Sequence, residues 1–453
     1  MRKWFFVSII ATSLLHLPLA AQEVRAGTDS AGSTLKLTLA SALELARGHN
    51  YDIRIATASR DEASADLAKS ASVFLPQLSI TESFVSTNDP LNVFGLKLKQ
   101  EIVTPADFDP RLLNSPPSIQ NFTTKAEVRQ PILNVDGFFG RHAAAKAAEA
   151  SDYSLVRTEY GAELQTKLSY YGLVLARQSL SVIVKALETA SAYRDQAKNF
   201  YNQGLIQKSD YLMAEVRVLD LESKKIETEK GIADAANSLR HTLGLPGSAT
   251  IEPLDTLRVF SIGDVPVSID ELSGNRSDMR ALLSGIDAAG AMANMARGKF
   301  IPSLNAFANY ELNNDHFSGT SGKNWMVGAV LQWNIFSGFD QIGDLEKASA
   351  KQSNLESQYA RMKSSARNEM ASTLGAIESS RKRVALADAQ VQQGEEQLRV
   401  VSDRYARGLE RTTDLLQSEA SLSNARLSRL QILFQHASNV FMLEFYLERK
   451  LIP

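Results

Sequence analysis

The sequence contains no cysteine among its 453 residues. Disulfide bonds, thiolate metal sites, a cysteine nucleophile and a lipid-modified cysteine are therefore excluded. The sequence also lacks an excess of charge of either sign, because 49 Lys and Arg residues stand against 51 Asp and Glu residues and the formal net charge is -2. Without a net positive field to attract a polyanion, we expect no binding to nucleic acid.

Long apolar runs are missing everywhere except at the N-terminus. Arg2 and Lys3 precede an apolar run from residue 4 to residue 19, and small residues follow it. This order is typical of a secretory signal, so we predict a signal peptide at residues 1–21 and a flexible leader at residues 22–36. A retained membrane anchor is the alternative, but the run is shorter than the ~20 apolar residues that a spanning helix needs. Any later crossing of a membrane must use β-strands.

Known catalytic and metal-binding patterns are missing as well. The six histidines are scattered and show no spacing that could build a metal site. The sequence has no nucleophile elbow, no zinc-protease motif and no dinucleotide-binding loop. We therefore predict that the protein is not an enzyme and holds no cofactor.

An internal duplication is the most informative feature that is present. Six residues of the first half recur in the second half with the same spacing. The two matching sets are Tyr201, Gly204, Leu205, Asp210, Leu212, Glu215 and Tyr405, Gly408, Leu409, Asp414, Leu416, Glu419. The chain is thus predicted to contain two copies of the order helix, strand, strand, long helix, turn, helix. The copies lie in residues 37–250 and 271–453, with a linker at residues 251–270.

Each copy is predicted to contain a very long helical hairpin, at residues 137–243 in the first copy and 339–450 in the second. Between Gly137 and Gln203 there is no proline, and about 65 residues at 1.5 Å each would form a helix of roughly 100 Å. The flanking helical segments are about half as long, so two of them placed end to end would match one long helix. This length relation predicts a hollow or bundled cylinder of parallel helices.

Each copy also contains two segments in which apolar and polar residues alternate, as in β-strands. We predict strands at residues 77–85, 121–130, 303–312 and 325–334. Runs of about 9 to 11 residues fit a tilted membrane strand. Trp325 and Trp333 lie at opposite ends of the last strand, where aromatic residues would meet the membrane interfaces. Glu82 interrupts the apolar register of the first strand, and the edge of a soluble sandwich remains the alternative for this pattern.

Four strands cannot close a barrel, and open strand edges are not tolerated in lipid. The chain must therefore form an oligomer. Two chains would give eight strands with an interior filled by side chains, whereas three would give twelve strands and leave a lumen. We predict a mostly α-helical fold with a small β part, in which three chains share a long α-helical barrel and a 12-stranded β-barrel. The proline-rich connection at residues 86–120 would then face the cell exterior.

Several motifs together resemble the TolC-type outer membrane efflux protein family, the outer membrane factors, from about Leu37 to Leu451. They are the duplicated Tyr-x-x-Gly-Leu with an Asp six residues after the Gly, Leu75-Pro76 and Ile301-Pro302 before the strands, and the segment at residues 130–133 with the sequence Gln-Pro-Ile-Leu. The resemblance implies a homotrimer in the outer membrane of a Gram-negative bacterium, in contact with its lipid. It also implies a passive gated channel that docks to a periplasmic adaptor (membrane fusion protein) and an inner membrane pump, for efflux or type I secretion.

The resemblance further implies a periplasmic gate at the duplicated turns. Tyr405 matches the family's gate tyrosine, Asp210 matches the acid that hydrogen-bonds it from the neighbouring hairpin, and Asp414 matches an acidic ring at the entrance. One acid per chain, repeated three times at a narrow mouth, would concentrate negative potential and favour cations. Glu410 stands where family members can place a basic residue, with Arg411 beside it.

The tips of the two hairpins are implied to dock the adaptor, through Gly204, Leu205, Gly408 and Leu409. The two glycines are also natural helix stops in the left-handed conformation, so their recurrence has a purely structural reading as well.

A non-conducting structural protein is the alternative function that such long helices also allow, either a coiled coil that spans the periplasm or an adhesin. Conductance separates the two functions, because only a duct would carry current in steps across a planar bilayer. The cargo, the identity of the pump and the opening trigger do not follow from the sequence.

Overall fold

The computed structural model describes residues 34–247, 249–262 and 275–451. The predicted signal peptide, most of the predicted leader and part of the predicted linker lie outside the described residues. Residues 34–36 of the predicted leader instead belong to a β-strand. Within the described ranges, no helix combines the length and the apolar character that crossing a membrane requires.

Helices make up most of the described chain. In chain order they are α1 (Leu39–His49), α2 (Tyr51–Lys69), α3 (Pro90–Lys99), α4 (Pro110–Asn114), α5 (Val135–Asn202), α6 (Lys208–Thr242), α7 (Ser277–Gly298), α8 (Asp340–Ala406) and α9 (Thr412–Leu447). With 68 and 67 residues, α5 and α8 each span about 100 Å. The two helical hairpins predicted from the sequence correspond to α5–α6 and α8–α9.

The described chain contains two small sheets. In chain order the strands are β1 (Thr34–Leu37), β2 (Gln77–Thr87), β3 (Ile119–Leu133), β4 (Thr250–Pro253), β5 (Ser303–Asn314) and β6 (Gly322–Gln332). β1 and β4 pair in parallel, and the other strands form a four-stranded antiparallel sheet in the order β2-β3-β5-β6. The prediction of a mostly α-helical fold with a small β part is thus confirmed.

Some predicted boundaries and conformations are wrong. The last strand ends at Gln332 and excludes Trp333, because its partner β5 begins at Ser303, which pairs with Gln332. The connection at residues 86–120 is not a loop throughout, since it contains α3 and α4. The short helical segment predicted before the first strand of the first copy is also interrupted. Asn50 has an extended backbone there and separates α1 from α2.

The four-stranded sheet has two chemically different faces, because its register alternates side chains between them. Leu78 pairs with Val128, and Tyr310 pairs with Trp325. The mainly apolar face carries Leu78, Ile80, Phe84, Phe122, Ala126, Val128, Ala308, Tyr310, Trp325 and Val327, together with the polar residues Glu82, Thr124 and Lys323. The mainly polar face carries Ser79, Thr81, Asn121, Thr123, Lys125, Glu127, Asn309, Glu311, Asn313, Gly322 and Asn324, together with the apolar residues Val85, Phe307, Met326 and Val330.

The largest hydrophobic core lies at mid-length of α5, where residues of α1, α6, α8 and α9 meet it. Tyr170 and Tyr171 are both buried there, and the Tyr171 ring centroid is 5.4 Å from that of Phe441. The Tyr170 hydroxyl lies 2.6 Å from Oδ2 of Asp255, and the Leu39 N–H donates to the same oxygen at 2.8 Å. These bonds hold the β1–β4 pair and the connection between the copies against the long helices.

In the first copy, a single buried asparagine joins two short helices end to end. Oδ1 of Asn50 accepts hydrogen bonds from the N–H groups of Asp52 and Ile53 at the start of α2, at 2.8 and 3.2 Å. Its Nδ2 donates to the Thr242 carbonyl in the last turn of α6, at 2.8 Å. One side chain therefore satisfies backbone groups at both helix ends, which would otherwise lack partners in a buried place.

In the second copy, a carboxylate makes the corresponding joint. Glu448 follows α9 in a left-handed conformation, with a φ of 49°. Its Oε2 accepts from the Ser277 N–H at 2.9 Å and from the Ser277 hydroxyl at 2.7 Å, at the start of α7. A negative charge is favourable at this position because the helix N-terminus carries partial positive charge. Arg157 of α5 binds the same carboxylate at 3.1 Å.

End-to-end stacking explains how short helices accompany the long ones. α2 and α6 contain 19 and 35 residues, and α7 and α9 contain 22 and 36. Each stacked pair therefore covers most of the length of one long helix. Along most of the distance from the sheet to the hairpin turns, each long helix is thus accompanied by a short one.

We predict that Asn50→Ala lowers the free energy of unfolding by about 2–4 kcal/mol. The substitution removes a helix cap and leaves the Thr242 carbonyl without its buried donor. Denaturant titration in detergent, followed by helical circular dichroism, measures the effect. The matched control is Asn88→Ala, an exposed site where we expect a change within about 0.5 kcal/mol. Equal changes in the two variants would contradict the role of Asn50 as a joint.

Candidate functional site at the hairpin tips

The two hairpin turns are built in the same way around a glycine. Gly204 and Gly408 have φ values of 74° and 70°, in the left-handed region that favours glycine. The next residue closes the turn in each case, with the Leu205 N–H donating to the Phe200 carbonyl at 2.9 Å and the Leu409 N–H donating to the Arg404 carbonyl at 3.0 Å. This pattern is a Schellman motif, so the recurring Gly-Leu has a clear backbone function.

The leucines of the two turns point their side chains away from the chain. Leu205 is 66% exposed and Leu409 is 63% exposed. A hydrophobic contact often accompanies such a helix end, yet these side chains remain largely open to solvent. They give each tip an apolar residue that is available for contact with another surface.

Tyr405 is buried between the two tips of one chain. Its ring centroid lies 5.6 Å from that of Phe200 at the end of α5, and only 2% of the residue is exposed. Its hydroxyl is 3.1 Å from the Thr412 hydroxyl. Burial raises the pKa of Tyr405, and the negative charge of Asp210 acts in the same direction. The phenol therefore stays protonated at neutral pH and available for hydrogen bonding.

Asp210 lines the same cleft as Tyr405, but the chain does not join the two by a hydrogen bond. The cleft has a volume of about 700 Å³ and includes residues of both tips. Oδ2 of Asp210 accepts from the Gln207 N–H at 3.3 Å and so closes the first turn of α6. The hydroxyl of Tyr405 is engaged with Thr412 in this conformation. The implied Tyr405–Asp210 bond therefore remains a proposal about contacts between chains.

Two acids of the second tip, Asp414 and Glu410, differ in exposure and in pairing. Asp414 lies exposed in the first turn of α9, as the implied acidic ring requires of each chain. Glu410 instead accepts from Nε of Arg404 at 2.8 Å, within its own hairpin. At the position where the resemblance implies that a basic residue can stand, this chain thus has an acid that is already paired.

An ion pair that the sequence analysis did not predict joins the two hairpins below the tips. Arg217 of α6 places both Nε and Nη2 at 2.9 Å from Oε2 of Glu419 in α9. The Ser423 hydroxyl donates to Oε1 of Glu419 at 2.6 Å. Glu419 is only 1% exposed, so these partners replace the water that a solvent-exposed carboxylate would bind.

The position of Glu419 in its helix was the available sequence signal for this pair. Leu415, Glu419 and Leu422 follow steps of four and three, which is the spacing of a buried helix seam. A carboxylate at a seam position requires a buried partner or an unusual solvent path. The partner itself, Arg217, lies in the other hairpin, and its identity could not follow from local spacing.

The arrangement of the His, Asp and Glu side chains bears on whether the protein could bind a metal ion. Among the described residues, no group of three or more His, Asp or Glu side chains has an arrangement that could hold a metal ion.

Comparison with known proteins connects this architecture to a family. The family model described as "Outer membrane efflux protein" matches residues 42–245 and 268–447, most of both copies. Among curated proteins, no sequence gives a significant match.

Solved structures of outer membrane channels share the fold at low sequence identity. The Campylobacter jejuni CmeC outer membrane channel is 17% identical, with a TM-score of 0.79 over 90% of this chain and 85% of that chain. The outer membrane protein VceC from Vibrio cholerae is 18% identical, with a TM-score of 0.76 over 91% and 96%. The open state of the Neisseria gonorrhoeae MtrE outer membrane channel is 18% identical, with a TM-score of 0.76 over 91% and 89%.

These matches confirm the resemblance that the sequence motifs indicated. The expectation of a protein that is not an enzyme also agrees with a family of efflux channels. Because the family model matches most of both copies, the chain belongs to the outer membrane efflux protein family.

Proposed function

We propose that three copies of this chain form the outer membrane exit duct of a tripartite efflux or type I secretion system. The duct is a passive, gated channel through the outer membrane and across the periplasm of a Gram-negative bacterium. The observation that carries the proposal is that this chain combines two features. It has helical hairpins ~100 Å long, and it has a sheet whose apolar face is exposed.

The apolar face of the sheet is the part proposed to contact lipid. Ile80, Val327 and Trp325 are 73%, 68% and 74% exposed, respectively. A soluble sandwich would cover such a face with a second sheet. Glu82 also lies on this face, and its carboxylate accepts a hydrogen bond from the Thr124 hydroxyl. Trp325 lies within β6, and Trp333 follows directly after its last residue, about 26 Å further along the direction of the strand. This separation suits aromatic side chains at the two membrane interfaces.

The edges of the same sheet support assembly from several chains. In the described part of the chain, the outer edges of β2 and β6 have no partner strand. Unpaired backbone groups are very costly in lipid, so these edges must pair with other copies. Three copies provide twelve strands, enough to close a barrel around a lumen.

An apolar stripe on α6 supports the same assembly at the helical end. Leu212, Leu219 and Ile226 recur every seven residues, and Val216 lies between them. These four side chains are 43%, 58%, 68% and 65% exposed, in that order. Such spacing is typical of a seam between packed helices, and a helix of a second copy is the proposed cover.

The hairpin tips are the proposed gate and adaptor-docking site. Tyr405 and Asp210 line one cleft between the tips, and Asp414 is exposed beside it. Threefold repetition of Asp414 would give the mouth a negative potential that favours cations. The exposed Leu205 and Leu409 offer apolar contacts to a periplasmic adaptor, which would in turn connect the duct to an inner membrane pump.

Planar-bilayer recordings of the purified trimer test the proposed channel. We expect discrete conductance steps. A correctly folded trimer that stays silent, including after the gate substitutions described next, would favour the non-conducting structural protein instead.

We predict that Tyr405→Phe and Asp210→Ala raise the resting conductance. Each removes a hydrogen-bonding group from the closed tips, and a loss of about 1 kcal/mol changes the ratio of open to closed channels about fivefold. The matched control is Tyr201→Phe, the equivalent tyrosine of the first copy, which is 38% exposed. Unchanged currents in both gate variants, or an equal rise in the control, would contradict the assignment.

We also predict that Arg217→Met destabilises the contact between the hairpins and raises the resting conductance. The substitution leaves the carboxylate of Glu419 buried without its counter-ion, at a cost of about 3–5 kcal/mol. Adding Glu419→Met should recover most of the stability, because an apolar pair can replace a buried ion pair. Denaturant titration and bilayer recordings measure the two effects.

The matched control for Arg217 is Lys225→Met on the same helix. Lys225 pairs with Glu229 at 3.8 Å, and the two side chains are 41% and 51% exposed. We expect the loss of this exposed pair to cost at most about 1 kcal/mol. An effect of Arg217→Met no larger than that of the control would show that the buried pair does not hold the hairpins together.

A further inference from the structure

The connection between β2 and β3, residues 88–118, folds into a small compact insert. The ring centroids of Phe94 and Phe108 lie 5.6 Å apart in an edge-to-face arrangement, and Val93 is 2% exposed. Nζ of Lys97 binds Oδ1 of Asp107 at 2.5 Å. This bond, together with hydrogen bonds from the N–H and hydroxyl of Thr104, lowers the pKa of Asp107 to about 2. The matching connection of the second copy, between β5 and β6, consists only of residues 315–321.

A buried glutamine attaches the insert to the polar face of the sheet. Gln100, at the end of α3, is 3% exposed. Its Nε2 donates to the Gln120 carbonyl at 2.7 Å and to Oδ1 of Asn121 at 2.8 Å. Nδ2 of Asn121 then donates to Oδ1 of Asn313 at 2.9 Å. The insert is therefore bonded through β3 to β5.

Two further contacts fix the insert on the same face. Nζ of Lys99 binds Oε2 of Glu311 at 3.1 Å, and Oε1 of Glu101 accepts from the Lys323 N–H at 3.2 Å. Gly322 has no room for a side chain, because a Cβ there would lie 1.9 Å from the Lys99 carbonyl oxygen. The position that a polar-face side chain would take on β6 is thus filled by the backbone of the insert.

These contacts determine the side of the sheet on which the insert lies. Asn121, Glu311, Asn313 and Gly322 all belong to the polar face and to three different strands. They lie at the end of the sheet remote from the long helices, since α5 begins directly after the other end of β3. In a barrel whose apolar face contacts lipid, the polar face lines the lumen. The insert consequently lies on the lumen side at the outer end of the barrel.

We propose that the insert at residues 88–118 narrows the outer mouth of the duct and sets the largest size of solute that can enter the lumen from outside. This inference rests on the proposed function, because it requires a closed barrel of three copies. Three inserts, related by the threefold symmetry, would surround one opening. The bonds of Gln100 and Lys99 hold each insert in place, so the restriction is built into the resting fold rather than created by a ligand.

Labelling of a single cysteine in intact cells tests the proposal, and the chain is suited to it because it contains no cysteine. Ser79→Cys places a thiol on the polar face, deep in the lumen. We would treat the cells with a graded series of membrane-impermeant polyethylene glycol maleimides. The largest reagent that labels this thiol measures the opening of the mouth.

Two variants that alter the insert are then compared with the parent. One replaces residues 90–114 by a short Gly-Ser linker, and the other is the double variant Lys99→Ala with Gln100→Ala, which keeps the insert and its Glu101 contact but removes the side-chain bonds of Lys99 and Gln100 to the sheet. We expect both to shift the size limit upward by at least one step of the series. An unchanged limit in the double variant, or in a deletion variant that reaches the cell surface, would overturn the proposal.

Ser318→Cys is the matched control, since Ser318 lies exposed in the turn between β5 and β6. We expect reagents of every size to label it in the parent and in both variants. Failure to label it in the parent would show that this end of the sheet does not face the exterior, and the proposed function itself would then fail. Labelling of Ser318→Cys with an unchanged limit at Ser79→Cys would reject only the restriction by the insert.

Discussion

The proposed assembly depends on one constraint, the backbone groups along the outer edges of β2 and β6, which have no partner strand in the described part of the chain. The apolar face of the sheet is suited to lipid, but its edges are not, because an N–H or C=O group without a partner costs several kcal/mol in hydrocarbon. Closure with other copies removes both edges at once. The same copies can cover the apolar stripe of α6, so one threefold arrangement would satisfy both the sheet and the helical part of a chain whose long helices each span ~100 Å.

The helices bury many apolar side chains at mid-length and few near the hairpin tips. At mid-length, the core around Tyr170 and Tyr171 unites five helices and the β1–β4 pair, and Asn50 and Glu448 join the stacked helices. Near the tips, the cluster of buried apolar side chains in the described part of the chain is small and consists of Ala197, Ala214 and Leu416, with Ile206 packed against it. Regions with few buried contacts open at lower free energy. The tips are therefore the part of the structure best suited to move, with Arg217–Glu419 and Tyr405 as the contacts that oppose it.

Periodic features of the sequence predicted the fold, whereas contacts between distant segments could not be predicted from the sequence. The absence of proline predicted the helix lengths, and the recurring Gly204 and Gly408 predicted the turns. Both signals are local in the sequence, so they can be read without knowledge of the packing. Asn50 caps α2 locally, but its bond to the Thr242 carbonyl, far along the chain, joins α2 to α6 and has no local signal. Likewise Gln100 fixes α3 through Asn121 and Asn313. The burial of Glu419 and the contact of Tyr405 with Thr412 depend on packing that no spacing rule encodes.

The number of chains in the native particle tests this account most directly. Native mass spectrometry of the full chain, extracted from outer membranes in mild detergent, measures it without reference to cargo or partners. The account predicts three copies of the chain in one particle, since three supply the strands for a barrel with a lumen. A stable monomer with its sheet edges unpaired in detergent would contradict it.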